Sequence, residues 1–333
     1  MTLTKKDFMS DQMVRWCPGC GDYSILSQVQ TVFANLGLPK EQIAVIAGIG
    51  CSSRFPYYVD TYGFHTIHGR APAIATGLKT TRPELSVWVV SGDGDALSIG
   101  GNHLIHLFRR NVDLNLMLFN NRIYGLTKGQ YSPTSETGKR TKSSPMGSLE
   151  APFNPIALAL GAGAAWVARS VDVFTNHLRE TLEAAHAHRG TSFVEIYQNC
   201  NIFNDGAFRE FTERDVRDER VLYLTPGQPL VWGTAVRRGL VLDGLALKVV
   251  ELGDGLTEAD CLVHDPTNLA LARLLATMAP EEGFPVPVGV FYDNPRPTYD
   301  EAFRAQVEQA RARLGEGDLA KLLNSGDTWT VRA

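Results

Sequence analysis

Apolar positions along this chain follow two alternating rhythms. Between residues 22 and 36, Ile25, Leu26, Val29, Val32, Phe33 and Leu36 recur at helical spacing, and Gly37 supplies a stop. Short continuous apolar runs come between such stretches: Gln42 to Ala47, Phe64 to Ile67, 86–91, 114–119, Ala165 to Arg169 and Ser192 to Tyr197. Runs of that length, bounded by turn residues, predict buried strands. Helices are expected between them: over the segment that stops before Pro83, over 95–110, ahead of Ala165, and over 173–188. One long polar interval, 122–153, reads as a loop. Strands alternating with helices predict an α/β fold, a doubly wound and mostly parallel sheet.

The alternation stops near residue 205. Beyond it come a hairpin-like stretch (Leu230–Leu252), a helix (Asn268–Met278), a short strand (Val286–Tyr292) and a charged helix (Tyr299–Leu314). That pattern is too irregular for a second doubly wound unit. The expectation is a first domain over 1–208 and an irregular α+β C-terminal extension over 209–333 that packs on it or on a partner.

Two strand exits carry candidate chemistry. Val87-Trp88-Val89-Val90 feeds Gly92-Asp93-Gly94, and Leu114 to Phe119 feeds Asn120-Asn121. Ligands of open α/β sheets bind outside the carboxyl ends of the strands. Asp93 and Asn121 offer hard oxygen ligands, and glycines on both sides of Asp93 let backbone approach a phosphate closely. That set suits Mg²⁺ bridging a diphosphate. A lone GDG is usually a turn; followed at this distance by paired Asn, it resembles the thiamine diphosphate (ThDP) signature.

Bulk properties narrow the field. The 333 residues suffice for one large or two modest domains. A net charge of −4 with no basic run argues against nucleic-acid binding. The N-terminus lacks an apolar signal region, and no apolar run approaches a membrane span, so a cytoplasmic protein is expected. Five cysteines are an odd count for a disulfide framework. In a reducing compartment they favour metal or redox chemistry.

Cys17-Pro-Gly-Cys20 alone fits a zinc half-site, a redox pair or an iron–sulfur half-site. A thioredoxin-like pair wants a strand before it, and none is predicted there. Cys51 lies at the exit of one predicted strand and Cys200 just past another, at the same sheet edge as Gly92 and Asn120. Three cysteine-bearing segments therefore converge, and four thiolates can complete a [4Fe–4S] cube. Four-Cys zinc uses the same ligands, and Cys51 or Cys200 taken singly could be a small buried apolar residue. An electron carrier beside ThDP makes chemical sense, whereas zinc there does not. Cys261 reads as a thiol that ligates nothing.

Trp16-Cys17-Pro18-Gly19-Cys20-Gly21, Gly50-Cys51-Ser52-Ser53, Ile67-His68-Gly69-Arg70-Ala71 and the GDG…NNRIYGLTKGQYSPT stretch together closely resemble the β-subunit of the 2-oxoacid:ferredoxin oxidoreductases, over about residues 10–210. The resemblance implies oxidative decarboxylation of a 2-oxoacid with CoA, giving acyl-CoA, CO₂ and two reduced ferredoxins, reversibly. It implies Cys17, Cys20, Cys51 and Cys200 as ligands of one [4Fe–4S] cluster. It implies Asp93, the Asn121 side chain and the Ile123 carbonyl as Mg²⁺ ligands. Gly50, Ser52, Gly92, Gly94, Asp95, Gly125 and Leu126 would shape the ThDP site, with His68 near the thiazolium or the substrate.

ThDP chemistry needs a carboxylate on the aminopyrimidine ring, and ThDP enzymes generally supply it from a second α/β domain. Only one such domain fits here. The expected partner is therefore an α (or fused γ-α) subunit carrying that Glu, in a dimer of heterodimers, with ferredoxin as electron acceptor. Within the family, a Lys at position 128 resembles the 2-oxoglutarate type, pairing with the far carboxylate; Arg54 is a second candidate cation. A pyruvate or broad 2-oxoacid enzyme is the alternative. Two readings of other classes stay open: a non-oxidative ThDP subunit with a structural metal, and a non-catalytic electron-transfer subunit.

Overall fold

The computed structural model describes residues 3–332. Eleven strands form among them: β1 (Ile43–Ala47), β2 (Tyr62–His65), β3 (Ser86–Gly92), β4 (Leu114–Asn120), β5 (Trp166–Val171), β6 (Thr191–Tyr197), β7 (Val221–Leu224), β8 (Val231–Trp232), β9 (Arg238–Asp243), β10 (Ala246–Glu251) and β11 (Val286–Asp293). The main sheet has eight strands in the order β2-β1-β3-β4-β6-β5-β11-β7. From β2 through to β5 every neighbouring pair is parallel; β11 then runs antiparallel to β5 and parallel to β7. A small antiparallel sheet, β8-β9-β10, stands apart. The expected doubly wound, mostly parallel α/β sheet is what the chain adopts.

The helices are α1 (Asp22–Asn35), α2 (Ala71–Thr81), α3 (Asp93–Leu97), α4 (Gly101–Arg110), α5 (Pro155–Gly161), α6 (Thr175–Ala187), the single turns α7 (Arg209–Thr212) and α8 (Arg217–Arg220), α9 (Leu269–Ala276), α10 (Tyr299–Leu314) and α11 (Leu319–Leu323). Both faces of the sheet are covered, which is why the central strands read as unbroken apolar runs. On β3, Val87 and Val89 face a core built with α2, α4, α5 and α9, while Trp88 and Val90 face one built with α1 and α6. No helix of the described residues is long and apolar enough to cross a membrane.

Three differences from the sequence reading matter. The helix expected over 95–110 is two helices, α3 and α4, broken at Ser98–Gly100. There the backbones of two segments touch: a Cβ on Gly69 would lie 2.5 Å from the Gly100 nitrogen. β2 begins and ends two residues earlier than its apolar pattern suggests, because it is a fully exposed edge strand that no core face constrains. In the region after 209, β7 and β11 extend the main sheet itself. Past Asp300, α10 and α11 leave the body with nearly every side chain exposed.

One ion pair lies inside the sheet layer. Arg169 Nε on β5 donates to Glu195 Oε2 on β6 at 2.7 Å, and both are buried. Asn120 Nδ2 on β4 donates to the other oxygen of Glu195 at 2.8 Å. Breaking a buried pair by removing one partner costs about 3–5 kcal/mol, whereas replacing both by apolar groups is far milder. Glu195→Leu should therefore lower the melting temperature sharply, and Arg169→Met with Glu195→Leu should recover most of it. Equal melting temperatures for the single variant and the parent chain would contradict this account.

Candidate active site

Parallel pairing of β2, β1, β3 and β4 delivers their exits to one edge. Gly92 on β3 is level with Phe119 on β4, so Asp93 and the Asn120-Asn121 pair emerge side by side. The exits of β1 and β2 bring Gly50–Ser52 and His68 to the same place. All eleven residues expected at the cofactor line one small cleft of about 90 Å³: Gly50, Ser52, His68, Gly92, Asp93, Gly94, Asp95, Asn121, Ile123, Gly125 and Leu126. Cys51 is in its wall as well.

The Asp93 carboxylate is buried, and its Oδ2 accepts hydrogen bonds from Ser132 Oγ at 2.5 Å and Thr134 Oγ1 at 2.6 Å. Burial pushes the carboxyl above its usual range, and the two hydroxyls pull the other way. They also fix its rotamer. Thr134 Oγ1 is shared with Asn120 Oδ1 at 2.9 Å, so the support continues through Asn120 to the Arg169–Glu195 pair. Asn121 Oδ1 accepts from the Ile123 N–H at 3.1 Å, which leaves it a second lone pair for a cation. Gly94 is required by close approach: a Cβ there would lie 2.2 Å from a ring carbon of Tyr124, whose hydroxyl donates to the Gly94 carbonyl at 2.9 Å. These donors fit a hard divalent cation bridging a diphosphate.

Asp95 plays a different part. Its carboxylate accepts from Ser91 Oγ (2.6 Å), the Gly69 N–H (2.8 Å) and the Ile49 N–H (3.2 Å). His68 Nδ1 is 2.7 Å away, in ion-pair range but off the axis of a hydrogen bond. The side chain thus holds three strand exits together.

Cys17 is exposed, Cys20 and Cys51 are half-buried, and Cys200 is buried; all are free thiols. The Gly21 N–H donates to the Asn199 carbonyl at 3.1 Å and Trp16 Nε1 donates to the Cys51 carbonyl at 2.7 Å, which ties the three cysteine-bearing segments together. A Cβ on Gly125 would lie 3.5 Å from the sulfurs of both Cys51 and Cys200. Burial pushes the Cys51 thiol up to about 12, helped by Asp22, Cys200 and Cys17. Cys20 is raised by burial and by Asp22, Cys200 and Cys51. Thiols raised in this way, as Cys20 and Cys51 are, ionise readily only on a strongly cationic group. Among the described residues no three His, Cys, Asp or Glu side chains close on one point as a single ion requires. Four thiols carried to one sheet edge fit a thiolate-bound metal group. Cys261 lies elsewhere, packed against Gly239 beside the small sheet.

The two candidate substrate cations are placed differently. Lys128 is exposed, holds a left-handed φ of 75° in the turn closed by its N–H to the Gly125 carbonyl, and does not line the cleft. Arg54 is half-buried, donates to the Tyr58 hydroxyl at 3.0 Å, and lowers the Cys51 thiol pKa slightly against the larger effects.

Residues 48–196 match the family model of the thiamine pyrophosphate enzymes' C-terminal TPP-binding domain. The 2-oxoglutarate oxidoreductase subunit KorB of Mycobacterium tuberculosis is 54% identical over 330 residues, which span 98% of this chain and 88% of that protein. The β-subunit of 2-oxoacid:ferredoxin oxidoreductase 1 of Aeropyrum pernix is 41% identical, over 86% of this chain and 80% of its own. This chain belongs to the β-subunits of the 2-oxoacid:ferredoxin oxidoreductases. The solved 2-oxoglutarate:ferredoxin oxidoreductase of Magnetococcus marinus, bound to 2-oxoglutarate, coenzyme A and succinyl-CoA, superposes with a TM-score of 0.76 at 34% identity, covering 98% of this chain and 97% of that one. The protein is thus a subunit of an oxidoreductase with a ThDP-binding domain, and its relatives' subunit names imply an α partner.

Ser132, Thr134, Tyr124 and Gln198 were not among the residues expected at the site, although the first two sit within the family-like phrase GQYSPT. Two hydroxyls two residues apart in a polar loop announce nothing until the loop folds back over Asp93. Losing one such donor to a buried carboxylate costs about 1–3 kcal/mol, and 1.4 kcal/mol is tenfold. Thr134→Val should therefore weaken Mg²⁺–ThDP retention by about tenfold or more with little change in shape, and Asp93→Ala should abolish it. Cofactor titration of the purified complex measures both; wild-type retention in Thr134→Val would mean that the hydroxyl supports nothing.

Proposed function

We propose that this chain is the β-subunit of a 2-oxoglutarate:ferredoxin oxidoreductase. The reaction is 2-oxoglutarate, CoA and two oxidised ferredoxins to succinyl-CoA, CO₂ and two reduced ferredoxins, in either direction. One observation carries the reading: the cleft lined by the diphosphate-type residues shares a wall with the thiols of Cys51 and Cys200, only a glycine away. The M. tuberculosis and M. marinus relatives are named for 2-oxoglutarate, which supports that substrate.

In this reading Asp93, the Asn121 side chain and the Ile123 carbonyl hold Mg²⁺, and Gly92 and Gly94 admit the diphosphate. Cys17, Cys20, Cys51 and Cys200 hold a [4Fe–4S] cluster. When bound, ThDP supplies an electron sink for loss of CO₂, and the cluster takes electrons one at a time. His68, held beside Asp95, faces the reacting end. The α (or fused γ-α) subunit brings the carboxylate for the aminopyrimidine and completes the site. The exposed apolar side chains of Phe64, of Ile67 next to His68, and of Ile99 support a covered surface on that side. Lys128 and Arg54 are the cations proposed for the far carboxylate.

The purified complex should reduce a dye with CoA and 2-oxoglutarate much faster than with pyruvate, and this chain alone should be inactive. Equal rates would favour the broad 2-oxoacid reading, and turnover by the isolated chain would refute the shared site. Lys128→Ala should raise KM for 2-oxoglutarate about tenfold, about 1.4 kcal/mol, while sparing pyruvate. A uniform loss would give Lys128 a structural role, and no change would pass the task to Arg54.

The cluster assignment is tested by iron content. Serine at Cys17, Cys20, Cys51 or Cys200 should each remove most of the iron and the brown colour, while Cys261→Ser should keep both. Full iron in Cys200→Ser would overturn the ligand set. Iron well above about four atoms per chain would overturn the single cluster.

A further inference from the structure

One buried side chain touches both proposed cofactor sites. Gln198 follows β6 directly and is 1% exposed. Its Oε1 accepts from Asn121 Nδ2 at 2.9 Å. Its Nε2 donates to the Asn199 carbonyl at 2.6 Å and to Cys20 Sγ at 3.3 Å. Backbone groups fix both amides. The Ile123 N–H takes the Asn121 oxygen, so the Asn121 NH₂ must face Gln198. The Asn199 carbonyl takes the Gln198 NH₂, so the Gln198 oxygen must face Asn121. Flipping either amide sets like groups against each other.

Hydrogen bonds to the sulfurs are one of the levers that set an iron–sulfur potential: a donor stabilises the more negative, reduced cluster. Chains of hydrogen bonds also polarise one another. A cation on Asn121 Oδ1 draws electron density from that amide and makes its N–H a stronger donor to Gln198. Gln198 in turn becomes a stronger donor to Cys20. We infer that Gln198 is a positioning residue that couples the two sites, so that filling the Mg²⁺–diphosphate site strengthens the hydrogen bond to Cys20 and makes the cluster a better electron acceptor. The coupling rests on the cluster and Mg²⁺ sites of the proposed function. Its consequence is order: the acceptor is most receptive when the cofactor that feeds it is in place.

The test is an EPR redox titration of the cluster in the complete complex, with Mg²⁺ and ThDP and after their removal by chelation and dialysis. Wild-type protein should show a higher midpoint potential with the cofactor bound. Gln198→Leu and Gln198→Glu both remove the N–H donor, and Glu keeps the shape. Each should lower the potential at full iron and shrink the cofactor-dependent shift. A through-space effect of the cofactor's charge would survive both substitutions, and that result would overturn the coupling. So would a wild-type potential indifferent to the cofactor. If Leu loses iron, Glu decides. Absence of cluster iron and EPR signal in the wild-type complex would sink the proposed function along with this inference; a normal cluster with unmoved potentials would sink the inference alone.

Discussion

The Asp95 carboxylate is the contact on which the site's geometry depends. Three loops leave three different strands, and nothing in the sheet's hydrogen bonding fixes where a loop goes after the ladder ends. Asp95, at the start of α3, takes the Ile49 N–H after β1, the Gly69 N–H after β2 and the Ser91 hydroxyl at the end of β3. A Cβ at Gly48 would lie 1.8 Å from its Oδ2, so the backbone passes over the carboxylate with no room for a side chain. A buried carboxylate is tolerable only when such donors surround it, and each donor is therefore held as firmly as the charge demands. In the proposed function Asp93, two residues earlier, would need that rigidity to present an oxygen to a hard cation.

A second buried network supports the same spot from behind. Arg169, Glu195, Asn120 and Thr134 form a continuous chain of polar contacts ending at Asp93 Oδ2. This gives the first Asn of the Asn-Asn pair a role separate from the second. Asn121 turns toward the cleft and Gln198, while Asn120 turns into the sheet layer and ties Glu195 to the loop that covers Asp93.

The central sheet was legible because strands buried on both faces must be apolar throughout, and each ended in turn residues that carry chemistry. The cleft residues were legible for the same reason, since they are the residues at strand exits. Ser132 and Thr134 were not, because the loop over 122–153 has no period and its path depends on contacts made elsewhere. Gln198 gave no signal for a related reason: one amide after a strand is ordinary, and its meaning lies in being within reach of both Asn121 and Cys20. The break at Ser98–Gly100 escaped notice because apolar spacing continues across it, and only the touching backbones of Gly69 and Gly100 demand it. The entry of β7 and β11 into the main sheet is a matter of topology, which local pattern does not encode.

The surface around the cleft follows from the same architecture. β2 is the sheet's edge, is exposed along its whole length, and carries Tyr62 at 65% and Phe64 at 57% exposure. Ile67 at 73% and Ile99 at 56% flank His68 and α3. Soluble chains seldom leave an edge strand unprotected beside a cluster of large apolar side chains, because both invite association. Here the two lie on the side of the sheet from which β1 and β2 deliver Gly50–Ser52 and His68 to the cleft. An α subunit seated on this edge would bury the apolar side chains and exclude water from the cleft. On the proposed function it would also bring the carboxylate that the aminopyrimidine ring needs. On the proposed function the shared site and the exposed edge would then be one feature, seen once in the chemistry and once in the surface.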